Sequence, residues 1–197
     1  MSPQMPSHIT TLGLPLPLTD LGFNEPFTAG TTTLIRTDGP QWSWHGESPE
    51  FDIPACEPAE GVPVDGWTTD HIVLLVPDLE SADRVLGAVG ARARLRIEVK
   101  GRPTAFYRVG TVLEVIESPV RAPSIFGVAL STEESLEVVA LRWRSRGFDV
   151  TDPKPAIQPG RRIATVRGLD TGFAVMSRDR EIEPPSRYSR RTRLPNG

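Results

Sequence analysis

The chain has 197 residues, with 22 basic and 25 acidic side chains and a net charge of −3, a balance that argues against a general nucleic-acid binder. A single cysteine, Cys56, excludes an internal disulfide framework and a cysteine-rich zinc site. No apolar run approaches the roughly 20 residues that span a bilayer, and no basic segment leads into an apolar core at the N-terminus, so the expectation is a cytoplasmic protein with no membrane or nucleic-acid partner.

Residues 1–66 hold ten of the 20 prolines and nine acidic residues against one basic residue, Arg36, for a net of −8. They read as an acidic, proline-rich extension that covers or braces the rest of the chain. Within it, Thr31–Arg36 and Gln41–His45 flank Asp38-Gly39-Pro40 and read as a hairpin. Trp42 and Trp44 would share one face of it. Folded back, this hairpin would act as a lid or deliver His45 to a site. Cys56 stands among acids that should raise its pKa, which is poor chemistry for a nucleophile.

From Trp67 the pattern changes. Asp70–Val76 is a short apolar run that suits a buried strand, stopped by Pro77, and Asp78 can cap the next helix. Leu79, Ala82, Val85, Leu86 and Val89 keep helical spacing, and Gly90 ends that helix. Residues 91–100 alternate strictly, with Ala91, Ala93, Leu95, Ile97 and Val99 on one face and Arg92, Arg94, Arg96, Glu98 and Lys100 on the other. Gly101 and Gly110 then turn the chain into Thr104–Val109 and Val112–Ile116.

The same order restarts at Ser124–Leu130. Ser131 and Glu134 fit a capping box, Leu136, Val139, Ala140 and Trp143 form a helical stripe, and Gly147 closes it. Phe148–Thr151, Ile163–Val166 and Phe173–Met176 supply three more strands. A duplicated βαβββ unit is the simplest account, since His71 and Gly127 occupy matching strand positions and Gly90 and Gly147 matching helix ends. The fold class is therefore α+β, with modules at about 67–119 and 120–178 forming a curved, cup-like sheet. Residues 179–197 are a basic tail with Arg187, Arg190, Arg191 and Arg193, expected to be disordered.

The run Asp70-His71-Ile72-Val73-Leu74-Leu75-Val76-Pro77-Asp78-Leu79-Glu80 resembles the opening of vicinal-oxygen-chelate proteins, the superfamily of glyoxalase I, extradiol dioxygenases and bleomycin-binding proteins. Val112–Glu117 and Asp170–Met176 resemble the closing strands of its two modules, so the resemblance covers about residues 68–178. It implies a small-molecule cup, and in some members a divalent metal held by residues on the first and last strands of each module. Those positions fall on His71 and Glu114 in the first module. In the second they fall on Gly127 and Met176, neither a good ligand for a hard divalent ion.

A carboxylate among apolar neighbours is costly unless paired, and His71 is the obvious partner for Glu114. Three readings stay open: a divalent metal site on His71 and Glu114, a metal-free catalytic pair that moves a proton, or a relic pair neutralised by His71 or an arginine. Candidate substrate-binding residues are Arg94, Arg96, Phe106, Phe126 and Phe173. Arginines lining the cup would select an anionic ligand, whereas arginines facing water make a charged edge. The expected function is a glyoxalase-like lyase or isomerase acting next to a substrate oxygen. The alternative is non-catalytic sequestration of a small, drug-like molecule. Dimers are common in this family, so a homodimer is expected.

Overall fold

Buried Ile72, Leu74 and Val76 alternate with the more accessible His71, Val73 and Leu75, which makes Trp67–Val76 a strand with one face in the core and one face open. This strand lies at the centre of the larger of two sheets. The computed structural model describes residues 6–178. The basic run at Arg187, Arg190, Arg191 and Arg193 lies outside them.

In chain order the first elements are β1 (His8–Leu14), α1 (Leu18–Leu21), β2 (Phe27–Ala29), β3 (Thr32–Arg36), β4 (Gln41–His45) and β5 (Val62–Pro63). Next come β6 (Trp67–Val76), α2 (Leu79–Ala88), β7 (Ala93–Val99), β8 (Arg102–Val109) and β9 (Thr111–Glu117). The last stretch comprises β10 (Ser124–Thr132), α3 (Leu136–Ser145), β11 (Asp149–Val150), β12 (Lys154–Pro155), β13 (Arg162–Arg167) and β14 (Gly172–Ser177). The molecule is mixed α+β, and no helix among the described residues is long and apolar enough to cross a membrane.

The larger sheet runs β11-β13-β14-β10-β6-β9-β8-β7, with β12 added beside β13. Strand β6 pairs in parallel with β9, which is followed by β8 and then β7. Strand β10 likewise pairs in parallel with β14, followed by β13 and then β11. The two first strands, β6 and β10, pair antiparallel and join the halves. Asp78 caps α2 by accepting from the Ser81 amide at 2.8 Å. The stripe Leu136, Val139, Ala140 and Trp143 is the buried face of α3. Ser131 and Glu134 do not form the expected capping box. Ser131 is still in β10 and bonds Thr68 at 2.6 Å, Ser135 is the N-cap, and the Glu134 carboxylate accepts from Trp67 Nε1 at 3.0 Å.

Residues 6–66 differ most from expectation. They form a second, five-stranded sheet in the order β4-β1-β3-β2-β5. Strands β3 and β4 exist where the hairpin was expected but do not pair with each other. Strand β1 lies between them, parallel to β3 and antiparallel to β4, so its long-range ladders displace the local hairpin ladder. This sheet shares one apolar core with the larger one. Phe23 stacks on Phe27 at 4.4 Å and meets Trp67 edge-on at 5.1 Å, and Trp143 Nε1 donates to the Leu21 carbonyl at 2.9 Å.

Candidate functional site

The register of the larger sheet sets two rows of residues across its open face. Arg108, Val112, His71, Ala129 and Ala174 form one row over β8, β9, β6, β10 and β14. Phe106, Glu114, Val73, Gly127 and Gly172 form the next, about 7 Å along the strands. Two concavities open on this face, one of about 650 Å³ over the first half and one of about 640 Å³ over the second. His71 lines both, and Glu114 lines the first.

Simple alternation would place Asp70 on the opposite face from His71. It does not, because the ladder between β6 and β10 slips there: Ala129 pairs with His71, but Leu130 pairs with Thr69. Asp70 is the extra residue of a bulge, a device that re-aims a side chain. Its carboxylate therefore reaches His71 Nδ1 at 2.7 Å with Oδ2 and accepts from Arg161 Nη2 at 2.5 Å with Oδ1. On the other side of the ring, His71 Nε2 lies 3.3 Å from Glu114 Oε2. The result is a continuous chain Arg161–Asp70–His71–Glu114. Arg161 also donates from Nε to the Ser177 carbonyl at 2.9 Å. Sequence reasoning missed Asp70 and Arg161, the first because the bulge reverses its parity, the second because it sits on the loop between β12 and β13.

The members of this chain are poised differently. Burial pushes the Asp70 carboxyl up, but hydrogen bonds from His71 and Arg161 outweigh that and hold it below the ordinary carboxylate value. Burial dominates at Glu114 and raises it, with the nearby Asp70 charge adding to the rise and His71 opposing it. The imidazole thus stands between two carboxylates, Asp70 on the Nδ1 side and Glu114 on the Nε2 side.

The residues present do not fit the four-ligand metal shell that the family resemblance implies. Glu114 lies two places beyond Val112, the partner of His71; the matching place beyond Gly172, the partner of Gly127, is Ala174 rather than Met176. Met176 is buried in the interior. No side chain can stand at residue 127, because a Cβ there would lie 2.0 Å from the Gly172 carbonyl oxygen. Both Asp70 oxygens are engaged by Arg161 and His71, and no group of three or more metal-ligating side chains forms among the described residues. Gly127→Ala is expected to force β10 and β14 apart and to lower stability by about 3 kcal/mol, read by urea unfolding.

Other expected site residues distribute as follows. Phe106 lines the first concavity and Phe126 the second. Phe126 is 54% exposed because it is the extra residue of another bulge, between Ile125 and Gly127. Phe173 is buried, its ring 5.5 Å from Trp143, so it is mainly a core residue at the edge of the second concavity. Arg96 does not reach the cup; it pairs with Asp83 of α2 at 2.7 Å. Leu95, Ile97 and Val99 line the cup while Arg94 lies outside it, as alternation requires once Leu95 faces in, and the ladder to β8 slips at Arg94. His45 pairs across the small sheet with His8, rings 5.1 Å apart, and lines neither concavity. Trp42 and Trp44 meet edge-on at 5.4 Å within the small sheet's own packing. The Cys56 thiol is pushed up chiefly by burial, with Glu57 adding to it.

No protein-family model matches the sequence, and no curated protein matches it. Solved structures offer a distant likeness. A hypothetical protein from Bacillus halodurans C-125 is 18% identical, with 61% of this chain and 100% of that chain covered and a TM-score of 0.49. Methylmalonyl-CoA epimerase from Mycobacterium tuberculosis is 16% identical, with 55% and 86% covered and a TM-score of 0.46. A variant of the Streptomyces coelicolor methylmalonyl-CoA epimerase, in complex with 2-nitronate-propionyl-CoA, is 16% identical, with 55% and 92% covered and a TM-score of 0.45.

Proposed function

We propose that the chain is a glyoxalase-like, two-module protein of the vicinal-oxygen-chelate type, whose cup holds a small molecule and moves a proton on a carbon next to a carbonyl. The observation that carries this reading is the Arg161–Asp70–His71–Glu114 chain in the wall of a cavity. Glu114 combines a pKa raised by burial with a position in the cavity wall, which suits a general base. Its Oε2 is held by His71, and no other hydrogen bond or ion pair involves this carboxylate among the described residues.

In the proposed step Glu114 takes the proton from the substrate carbon, and the C–H electron pair moves into the adjacent carbonyl as an enolate. Return of the proton from Glu114 or from His71 Nε2 completes an isomerisation with no net change of atoms or electrons. Asp70, fixed by Arg161, sets the tautomer and tilt of His71. In this proposal the reaction proceeds without a divalent ion, because the described residues offer one only Glu114 and His71. The test is solvent deuterium exchange into a panel of 2-substituted carbonyl compounds, followed by proton NMR after dialysis against a chelator. Exchange that survives chelation and is lost in Glu114→Gln supports the proposal; exchange that needs added metal, or persists in the variant, overturns it.

A second reading, sequestration without chemistry, draws on exposed apolar side chains around the cup. Leu95, Phe126 and Ile157 are 51%, 54% and 66% exposed, and such surface is ordinarily covered by something. Tight binding of an apolar ligand without exchange would favour it.

A further inference from the structure

A groove of about 700 Å³ lies where the small sheet meets the edge of the larger one. Its walls carry Arg92, Arg94 and Arg108 from the larger sheet or its approach and Ser7, His8 and Thr31 from the N-terminal residues, and no carboxylate among the described residues lines it. None of the three guanidiniums makes a hydrogen bond or ion pair among the described residues, whereas Arg96 is held by Asp83 and Arg84 by Glu80. Arg94, where the ladder to β8 slips, lines the groove. Arg108 lines the groove and also the cavity that contains His71 and Glu114, so the two spaces meet at its side chain.

Three like charges around one hollow repel one another, and a multiply charged anion relieves that repulsion. Planar guanidinium forks match phosphate oxygens in pairs, and the Ser7 hydroxyl, which accepts from the Glu47 amide, keeps its own proton for a further contact. We propose that this groove is a phosphate-binding subsite that takes a phosphate monoester or diphosphate. Through Arg108 it would hold the phosphorylated end of the ligand whose carbonyl end enters the cup. Only that last link rests on the function proposed above; the groove stands on its own residues.

The test is isothermal titration of the full chain with inorganic pyrophosphate at low ionic strength. Saturable 1:1 binding is expected, weakening as salt is added. Arg94→Gln and Arg108→Gln should each weaken it by about tenfold or more, the loss of one charge-assisted contact, while Arg121→Gln, an exposed arginine elsewhere, should not. Absence of saturable binding to the wild type, or equal affinity in Arg94→Gln and Arg108→Gln, overturns the proposal. Arg94 and Arg108 are both exposed, and circular dichroism of each single variant checks that it folds. Glu114→Gln should bind pyrophosphate as the wild type does. Pyrophosphate binding without deuterium exchange would therefore defeat the cup reading alone, and exchange without pyrophosphate binding would defeat the groove alone.

Discussion

Glu114→Gln is expected to cut deuterium exchange by about 10²–10⁴-fold, the usual contribution of a positioned general base. Its melting temperature at pH 7 should equal or exceed that of the wild type. The reason lies in the sign of the shift. Burial raises the Glu114 pKa in the folded chain above its unfolded value, so its contribution to stability is complete below about pH 4.3 and is lost as pH rises through the folded value. Glutamine keeps the shape and can still hydrogen-bond, but carries no charge to bury. The stability advantage of the variant should therefore grow as pH rises from about 4 through the folded value, measured by thermal unfolding over a pH series. A variant that loses both exchange and stability at pH 7 would make Glu114 a structural group.

Asp70→Asn should have a large effect on stability. It leaves the Arg161 guanidinium, only 9% exposed, against a neutral amide in place of a carboxylate. Removing one partner of a buried pair costs about 3 kcal/mol, which for a chain of this size lowers the melting temperature by about 6–12 °C. Here the folded pKa is depressed, so the stabilisation is present above about pH 3.9 and disappears as pH falls through the folded value. The deficit of the variant should accordingly shrink in acid. Replacing both partners with apolar residues, as in Asp70→Leu with Arg161→Met, should recover much of the melting temperature. Exchange should stay low in that double variant, because His71 has lost the group that orients it. Recovery of exchange together with stability would show that the pair acts only as a brace.

The sequence was most informative where structure is local. In residues 67–178 the strands apart from the two-residue β12 and both long helices are legible from alternation and helical spacing, and the buried stripe of α3 matches residue for residue. His71 and Glu114 could be paired from strand parity. Parity then failed wherever a bulge intervened. One extra residue at Asp70 brought a second carboxylate to the site, and one at Phe126 left an aromatic ring exposed. A bulge leaves no composition signature, so neighbouring side chains change face without warning. The small sheet was missed for a different reason. Turn residues at Asp38-Gly39-Pro40 signal a local hairpin, but the pairing is decided by β1, far upstream, through a parallel ladder that no local pattern reveals. Arg161 was invisible because its partner lies 91 residues away.

The contact between Trp143 and the Leu21 carbonyl joins residues 122 positions apart. Along the direction of synthesis, the first sheet leaves the ribosome long before the residues that complete its core. Phe23 and Phe27 then present an aromatic surface with no counterpart until Trp67, and afterwards Trp143, emerge. Closing so long a loop is slow compared with forming α2 or α3, and exposed apolar surface in the interval invites association between nascent chains. Translation halted between residues 66 and 143 should therefore yield insoluble chains, whereas release after residue 178 should allow both sheets to form together.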